Sequence, residues 1–527
     1  MSAFTRFVTP PLGVAVIAIA LGGSLPLVSS LSSAHAAAPP ADEQTIIHVL
    51  NRVAFGPSTG DVEKVRQMGI ADYIDQQLRP DRIPDGAMAS KLEGLRTVGL
   101  SSREIADRFE RPMIEQRRGR GRQQPPTPPA DGQTPPPELS AARERVNALV
   151  VELSEQKILR AAYSERQLQE VLTDFWFNHF NVDARKGRDR FLLTEYERES
   201  IRPHVLGTFR DLLEATAKSP AMLFYLDNWM SVDPNSPRPG PNRRRTKASR
   251  GLNENYAREL MELHTLGVDG GYTQKDVVEV ARAFTGWTIG TPRQGGGFRF
   301  EPRLHDEGEK LVLGHSLKAG GGIGDGEQVL DILARHPSTA RLIATKLARR
   351  FVSDEPPPAL VEEAAKRFRE TGGDLRAVTR TILTSPELLS SQAHRAKIKT
   401  PLEFIVSAIR ATGAEVSDAR PLVGAMRQLG MPLYQCQPPT GYKDTADAWA
   451  NTGALVNRMN VALALARNTL PGITLASRQW AEGNRDVFIA AMLGRDVSEA
   501  TRATIARATT GPDVVALTLG SPEFQKR

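Results

Sequence analysis

One acidic residue in this chain sits where a core leucine belongs. In the segment LNENYARELMELHTLG, Leu252 to Gly267, helical spacing of about 100° per residue puts Leu252, Tyr256, Leu260, Leu263 and Leu266 on one apolar stripe. Glu259 falls inside that stripe, and Asn255 sits at its edge. An ionised carboxylate is costly to bury unless a partner compensates, so the fold must bring a second polar group to this helix. A second segment offers one. Ser164 and Gln167 have the spacing of a capping box. The helix it would open reads RQLQEVLTDFWFNHF, with Leu168, Leu172 and Phe175 on its core face. His179 lies at the centre of that face, with Asn178 and Asp174 at its border. The expectation is that His179 and Glu259 meet in the core.

The N-terminus reads as a secretory signal over residues 1–36. Arg6 supplies the positive charge, Leu12 to Leu21 the short apolar run, and Ala34-His35-Ala36 the small-x-small cleavage site. That run is too short to span a bilayer, and no later stretch is apolar enough to do so. The sequence therefore predicts an exported chain, periplasmic or secreted, that does not span a membrane. Cys436 is the only cysteine, so no internal disulfide can form, and a buried core thiol is expected.

The net charge of +7 is unevenly placed. Arg111, Arg117, Arg118, Arg120 and Arg122 form one cluster; Arg238, Arg243, Arg244, Arg245, Lys247 and Arg250 form another. Neither is interleaved with aromatic residues, which argues against single-stranded nucleic acid as a partner. An exported basic loop better suits an anionic envelope polymer.

Apolar periodicity of 3.6 recurs in VLDILAR, ARLIATKLARRF, LVEEAAKRF, LRAVTRTIL and LEFIVSAIR. Caps are expected at Ser219 before Pro220, at Thr273 with Asp276, and at Asp325, Ser338, Asp374 and Ser385. Between Trp287 and Leu317 the texture changes to glycine with short strand-like runs, Phe298-Arg299-Phe300 and Leu311-Val312-Leu313. The predicted fold is mainly α: one large multi-helix domain over 37–527 with a small β-hairpin excursion near 287–317. Disordered Pro/Arg-rich loops interrupt it, a flexible insertion at about 115–138 and a basic loop at 231–250.

The segments NRVAFGP, FWFNHFNV, GLNENYARELMELHTLGVDGGYTQKDV, FTGW, HDEGEK and PPTGY, in this order, resemble a bacterial family known as domain of unknown function 1800. The resemblance spans nearly the whole chain after the signal. It implies export and, as a partner, an exported protein of another uncharacterised family, number 1501. It implies no catalytic residues, and the Arg/Pro-rich stretch looks like an insertion into the shared pattern.

Two functions follow from the residues. A buried His179–Glu259 pair can lock two helices in a non-catalytic envelope protein that binds or assembles. Alternatively the same pair works as acid and base in an exported hydrolase-like enzyme, with Arg258 as an anion clamp. Asn178, Asn255, Glu262, His264, His305 and Trp287 are the candidate ligand contacts. Arg258 also has the i, i+4 spacing of a surface ladder with Glu254 and Glu262, and Trp287 suits a core position. A metal site would draw on His264, His305 or Asp306, yet no HExxH or CxxC spacing is present, so no metal is assigned and the cofactor stays open. Nucleophile-elbow, Walker and dinucleotide-binding signatures are absent as well. The enzyme reading requires an open cleft reaching His179; the binding reading requires a sealed pair.

Overall fold

The computed structural model describes residues 42–115, 137–235, 251–291, 296–476 and 485–527. The signal-like segment, most of the insertion at 115–138 and most of the basic loop at 231–250 lie outside the described residues. The protein is mainly α, and strands occur among the described residues only as short antiparallel pairs. The first two pairs are the excursion expected between residues 287 and 317. In one, β1 (Trp287–Ile289) meets β2 (Phe298–Phe300) with Trp287 opposite Phe300. In the other, β3 (Lys310–Val312) meets β4 (His315–Leu317) with Lys310 opposite Leu317. A third pair joins Glu415–Val416 to Ile473–Thr474.

The helices stand where apolar spacing and capping chemistry put them. Asp42 caps Glu43–Val53 by accepting from the Thr45 amide at 2.7 Å. Thr273 and Asp276 make the full capping box of Gln274–Ala283, and Ser219 with Pro220 opens Pro220–Tyr225. Asp374 caps Leu375–Leu383. The longest helix among the described residues, Pro137–Tyr163, runs for 27 residues. One continuous hydrophobic core, from Ile46 to Phe524, takes in almost every buried apolar residue. No helix among the described residues is long and apolar enough to cross a membrane.

Three expectations are corrected. Ser164 and Gln167 do not form a capping box: Arg166 is the N-cap of Gln167–His179 and makes no side-chain cap bond. The Gln167 amide is taken up by tertiary contacts instead, accepting from the Phe55 amide at 3.1 Å and donating to the Ala161 carbonyl at 3.0 Å. Asp325 and Ser338 lie inside the helices Ile323–Arg335 and Pro337–Phe351 rather than at their caps.

The third correction concerns the Glu259 stripe. Asn253 caps a short α-helix, Glu254–Glu259, so Leu252 precedes the helix. A π-helical turn, Leu260–Thr265, follows directly, and the Leu266 amide reaches the Met261 carbonyl five residues back. A wheel of constant 3.6 residues therefore misplaces both ends of the stripe. The buried residues are Tyr256, Ala257, Leu260, Met261, His264, Thr265 and Leu266, and Glu259 falls on the half-buried flank beside them.

Candidate functional site

Residues of the FWFNHFN segment grip a loop far along the chain. The Asn178 side chain donates to the Tyr442 carbonyl and accepts from the Tyr442 amide, both at 2.7 Å. Asn181 donates to the carbonyls of Cys436 and Pro438, both at 2.9 Å. Between these anchors lies Gly441 at φ 73°, and a Cβ there would sit 2.3 Å from the Asn178 carbonyl oxygen. Glycine is thus required twice, by conformation and by close approach. Tyr225 also donates to the Gln437 carbonyl at 2.6 Å. These contacts hold the Met431–Thr445 segment as a strap beside the end of the Gln167–His179 helix.

Under the strap is a cavity of about 380 Å³. Phe175, Leu263, Leu342, Met431 and Tyr442 supply its apolar walls, and Val268 and Lys443 stand exposed at its rim. His179 reaches it from the helix end, 4 % exposed, packed edge-on against Trp176 and Phe180. Lys346 and Arg349 reach it from Pro337–Phe351, three residues apart and so on one flank of that helix. The opposite face of the same helix, including Ile343, Leu347 and Phe351, is buried in the core.

His179 has two partners, and Glu259 is neither. Nε2 lies 3.1 Å from the His264 carbonyl oxygen, and Nδ1 lies 2.9 Å from Lys346 Nζ. A carbonyl only accepts, so Nε2 carries the proton and Nδ1 presents its lone pair to the lysine. Burial, then the Lys346 charge, holds the imidazole well below its ordinary pKa, so the ring is neutral. His264 is pushed down to about 3 by burial and by Lys346. Burial and neighbouring Arg349 bring Lys346 down to about 8.

Charges around the cavity pair off unevenly. Each lining acid has its own partner: Asp174 meets Lys157 at 3.2 Å, Asp444 meets Lys397 at 3.4 Å, and Glu262 accepts from the Tyr272 hydroxyl at 3.2 Å. Arg350 is neutralised by Glu403 at 2.6 Å. Lys346 and Arg349 have no carboxylate within ion-pair distance among the described residues. Lys346 is held by His179, and Arg349 donates Nε to the Asp354 carbonyl at 2.9 Å. The cavity therefore carries two cations without counter-ions against apolar walls.

Of the residues singled out from sequence, the structure brings His179, Asn178 and Glu262 to this cavity. The expected His179–Glu259 contact is not formed, so the sealed pair and the acid–base pair both fail, although a cavity lined by Asn178 and Glu262 does reach His179. Glu259 makes no hydrogen bond or ion pair among the described residues, and burial with nearby Glu262 raises its pKa. Glu259 flanks the buried face that Tyr256, Ala257 and Leu260 define at this end of the helix, and so it does not point at His179. Asn255 is exposed at the start of its helix and donates to the Leu226 carbonyl at 3.3 Å. Arg258 lies in a surface ladder, 3.4 Å from Glu254 and 2.8 Å from the Gln274 side chain. His264 is in the core, offering its backbone carbonyl to His179.

His305 and Trp287 belong to a separate buried assembly. His305 Nδ1 faces the Thr285 carbonyl at 2.8 Å and Nε2 faces Asp325 at 3.2 Å, while Lys310 meets the same Asp325 oxygen at 2.6 Å. Asp306 is clamped by both prongs of Arg282, at 2.8 and 3.0 Å. Trp287 is fully buried between Phe284 and Phe298. These groups pin the two hairpins to the helical core. Cys436 is buried, its thiol pushed up to about 11 chiefly by burial. Among the described residues no group of three or more His, Cys, Asp or Glu side chains is arranged to hold a metal ion.

Sequence reasoning missed Lys346, Arg349 and Tyr442. Lys346 sits in the regular amphipathic pattern ARLIATKLARRF, where a lysine flanking a core stripe reads as an ordinary solvated cation. Only the distant strap turns that flank into a cavity wall. No curated protein matches the chain, and no solved structure matches it. A family model described as "Protein of unknown function (DUF1800)" matches residues 48–526, which is nearly all of the chain; the protein belongs to that family.

Proposed function

We propose that the protein is a binding protein for an anionic amphipathic molecule, held in the cavity beneath the Met431–Thr445 strap. The observation that carries this reading is the pair of cations, Lys346 and Arg349, left without carboxylate partners among the described residues, while the acids on the same wall, Asp174, Glu262 and Asp444, are already engaged elsewhere. Uncompensated charge in a partly desolvated site favours an anion of matching chemistry. The guanidinium fork suits a carboxylate or phosphate, and the walls of Phe175, Leu263, Leu342 and Met431 suit an attached hydrocarbon. The signal-like residues 1–36 support export, and an exported protein would meet its ligand among envelope constituents. N-terminal sequencing of the protein recovered from a periplasmic fraction tests export directly.

Calorimetric titration with decanoate and with decanol tests the binding reading. Decanoate is expected to bind at least tenfold more tightly than the uncharged alcohol. Lys346→Met and Arg349→Met should each erase most of that preference while circular dichroism stays unchanged. Equal affinity for acid and alcohol, or no heat from either, overturns the reading.

A further inference from the structure

The way Lys346 is held is unusual for a lysine that serves only as a point charge. An ammonium normally finds carboxylates or several carbonyl oxygens; among the described residues Lys346 has one hydrogen-bond partner, the lone pair on His179 Nδ1 at 2.9 Å. That partner accepts a hydrogen bond equally from an ammonium or from a neutral amine, so it fixes Nζ without insisting on its charge. The imidazole is itself locked, because Nε2 is committed to the His264 carbonyl. Nζ is thus positioned at the wall of a cavity large enough for a small organic molecule. Three residues along the helix, Arg349 spends only Nε on protein, and its two terminal nitrogens make no hydrogen bond or ion pair among the described residues.

We propose that Lys346 reversibly captures a carbonyl compound as an imine, and that the compound is a 2-oxo acid whose carboxylate is taken by Arg349. This deepens the anion-binding reading and rests on it. A lysine activates for such chemistry when it is desolvated or set beside another cation, and both conditions hold here. Burial and Arg349 bring its pKa down to about 8, so a substantial fraction is neutral just above neutral pH. In the neutral amine the Nζ lone pair attacks the carbonyl carbon, and the carbonyl π electrons move to oxygen. The two protons lost from nitrogen leave with that oxygen as water, and the C=N bond forms. No oxidant, reductant or metal enters the balance. The carbonyl and carboxylate of a 2-oxo acid are on adjacent carbons, which suits an amine and a guanidinium carried three residues apart on one helix face. Phe175, Leu263 and Leu342 then border the rest of the molecule.

The test is reductive trapping of the full chain with 2-oxooctanoate and sodium cyanoborohydride, followed by peptide mass spectrometry. The expected result is one secondary-amine adduct at Lys346, formed in preference to adducts at exposed lysines such as Lys366. Excess decanoate should suppress it, 2-octanone should give at least tenfold less, and Lys346→Arg should abolish it. In Arg349→Met, labelling of Lys346 by 2-oxooctanoate should fall about tenfold while labelling by octanal persists. Adducts confined to exposed lysines, with the decanoate heat of the unaltered protein intact, overturn the imine and leave the anion-binding reading standing. Loss of both the adduct and the decanoate heat removes the two together.

Discussion

Lys346 Nζ lies 2.9 Å from His179 Nδ1, and the other ring nitrogen is committed to the carbonyl of His264. A lysine, a histidine and a backbone oxygen from three separate helical segments thus form one hydrogen-bonded row. The tautomer follows from the carbonyl at its end, and the neutral ring follows from burial beside a cation.

Replacing Glu259 by glutamine separates this arrangement from the helix-locking pair read from sequence. A buried His–Glu pair broken at one end would cost about 3–5 kcal/mol. Glu259 has no such partner, and burial penalises its charged form. Glu259→Gln is therefore expected to leave the free energy of unfolding in urea within about 0.5 kcal/mol of the parent, or to raise it slightly.

A single side-chain amide, that of Asn178, ties the strap at Tyr442. Asn178→Leu removes both hydrogen bonds to Tyr442 and leaves a backbone N–H and C=O without those partners, at a cost of about 1–3 kcal/mol. Gly441→Ala should be at least as damaging, because its Cβ would overlap the Asn178 carbonyl. Faster amide exchange confined to residues 431–445 in both variants would show that the strap is the part released.

Asp325→Asn should be among the most disruptive substitutions in the chain. It removes the charge that faces both His305 and Lys310, whose side chains are fully buried. Lys310 would keep only Asp306, at 3.9 Å, and the carbonyls of Asp306 and Gly308, and breaking a buried pair at one end costs about 3–5 kcal/mol. Thermal unfolding should report the loss, with local proteolysis between residues 287 and 317 preceding it.

Buried histidines make stability depend on pH in a predictable direction, and His48, held down to about 4 by burial, acts in the same sense as His179 and His264. His179 and His264 are held below the ordinary imidazole value of 6.5, the latter to about 3. Below pH 6.5 the unfolded chain binds protons that the folded chain refuses, so stability is full above 6.5 and is lost as pH falls. Each group contributes at most about 1.4 kcal/mol per pH unit in that window. Urea unfolding at pH 7.0 and 5.5 should show the drop, and His264→Gln should reduce it. A pH-independent midpoint over this range would contradict the assignment of both rings as neutral and buried.

Much of the local structure is legible in the sequence. Thr273 with Asp276, Ser219 with Pro220, and Asp374 act as caps because their chemistry is satisfied within one helical turn. The hairpins near 287–317 follow from short strand-like runs between glycines. Asp325 breaks the rule for the opposite reason: its partners, His305 and Lys310, come from a separate stretch of chain and outweigh local capping. Glu259 departs from the expected stripe because the helix begins only at Glu254 and turns π at Leu260–Thr265, so Leu252, Leu263 and Leu266 do not mark one face at constant pitch.

The helical class, the helix starts at Ser219, Thr273 and Asp374, the hairpin excursion and the burial of His179 are legible in the order of residues alone, since each depends on spacing within ten or twenty positions. Tertiary structure decided what His179 faces. Lys346 is 167 positions away along the chain, and the strap that walls the cavity is more than 250 away at Tyr442. Periodicity records which face of a helix is buried; it carries no information about which distant element buries it, and the chemistry of the cavity is set by that choice.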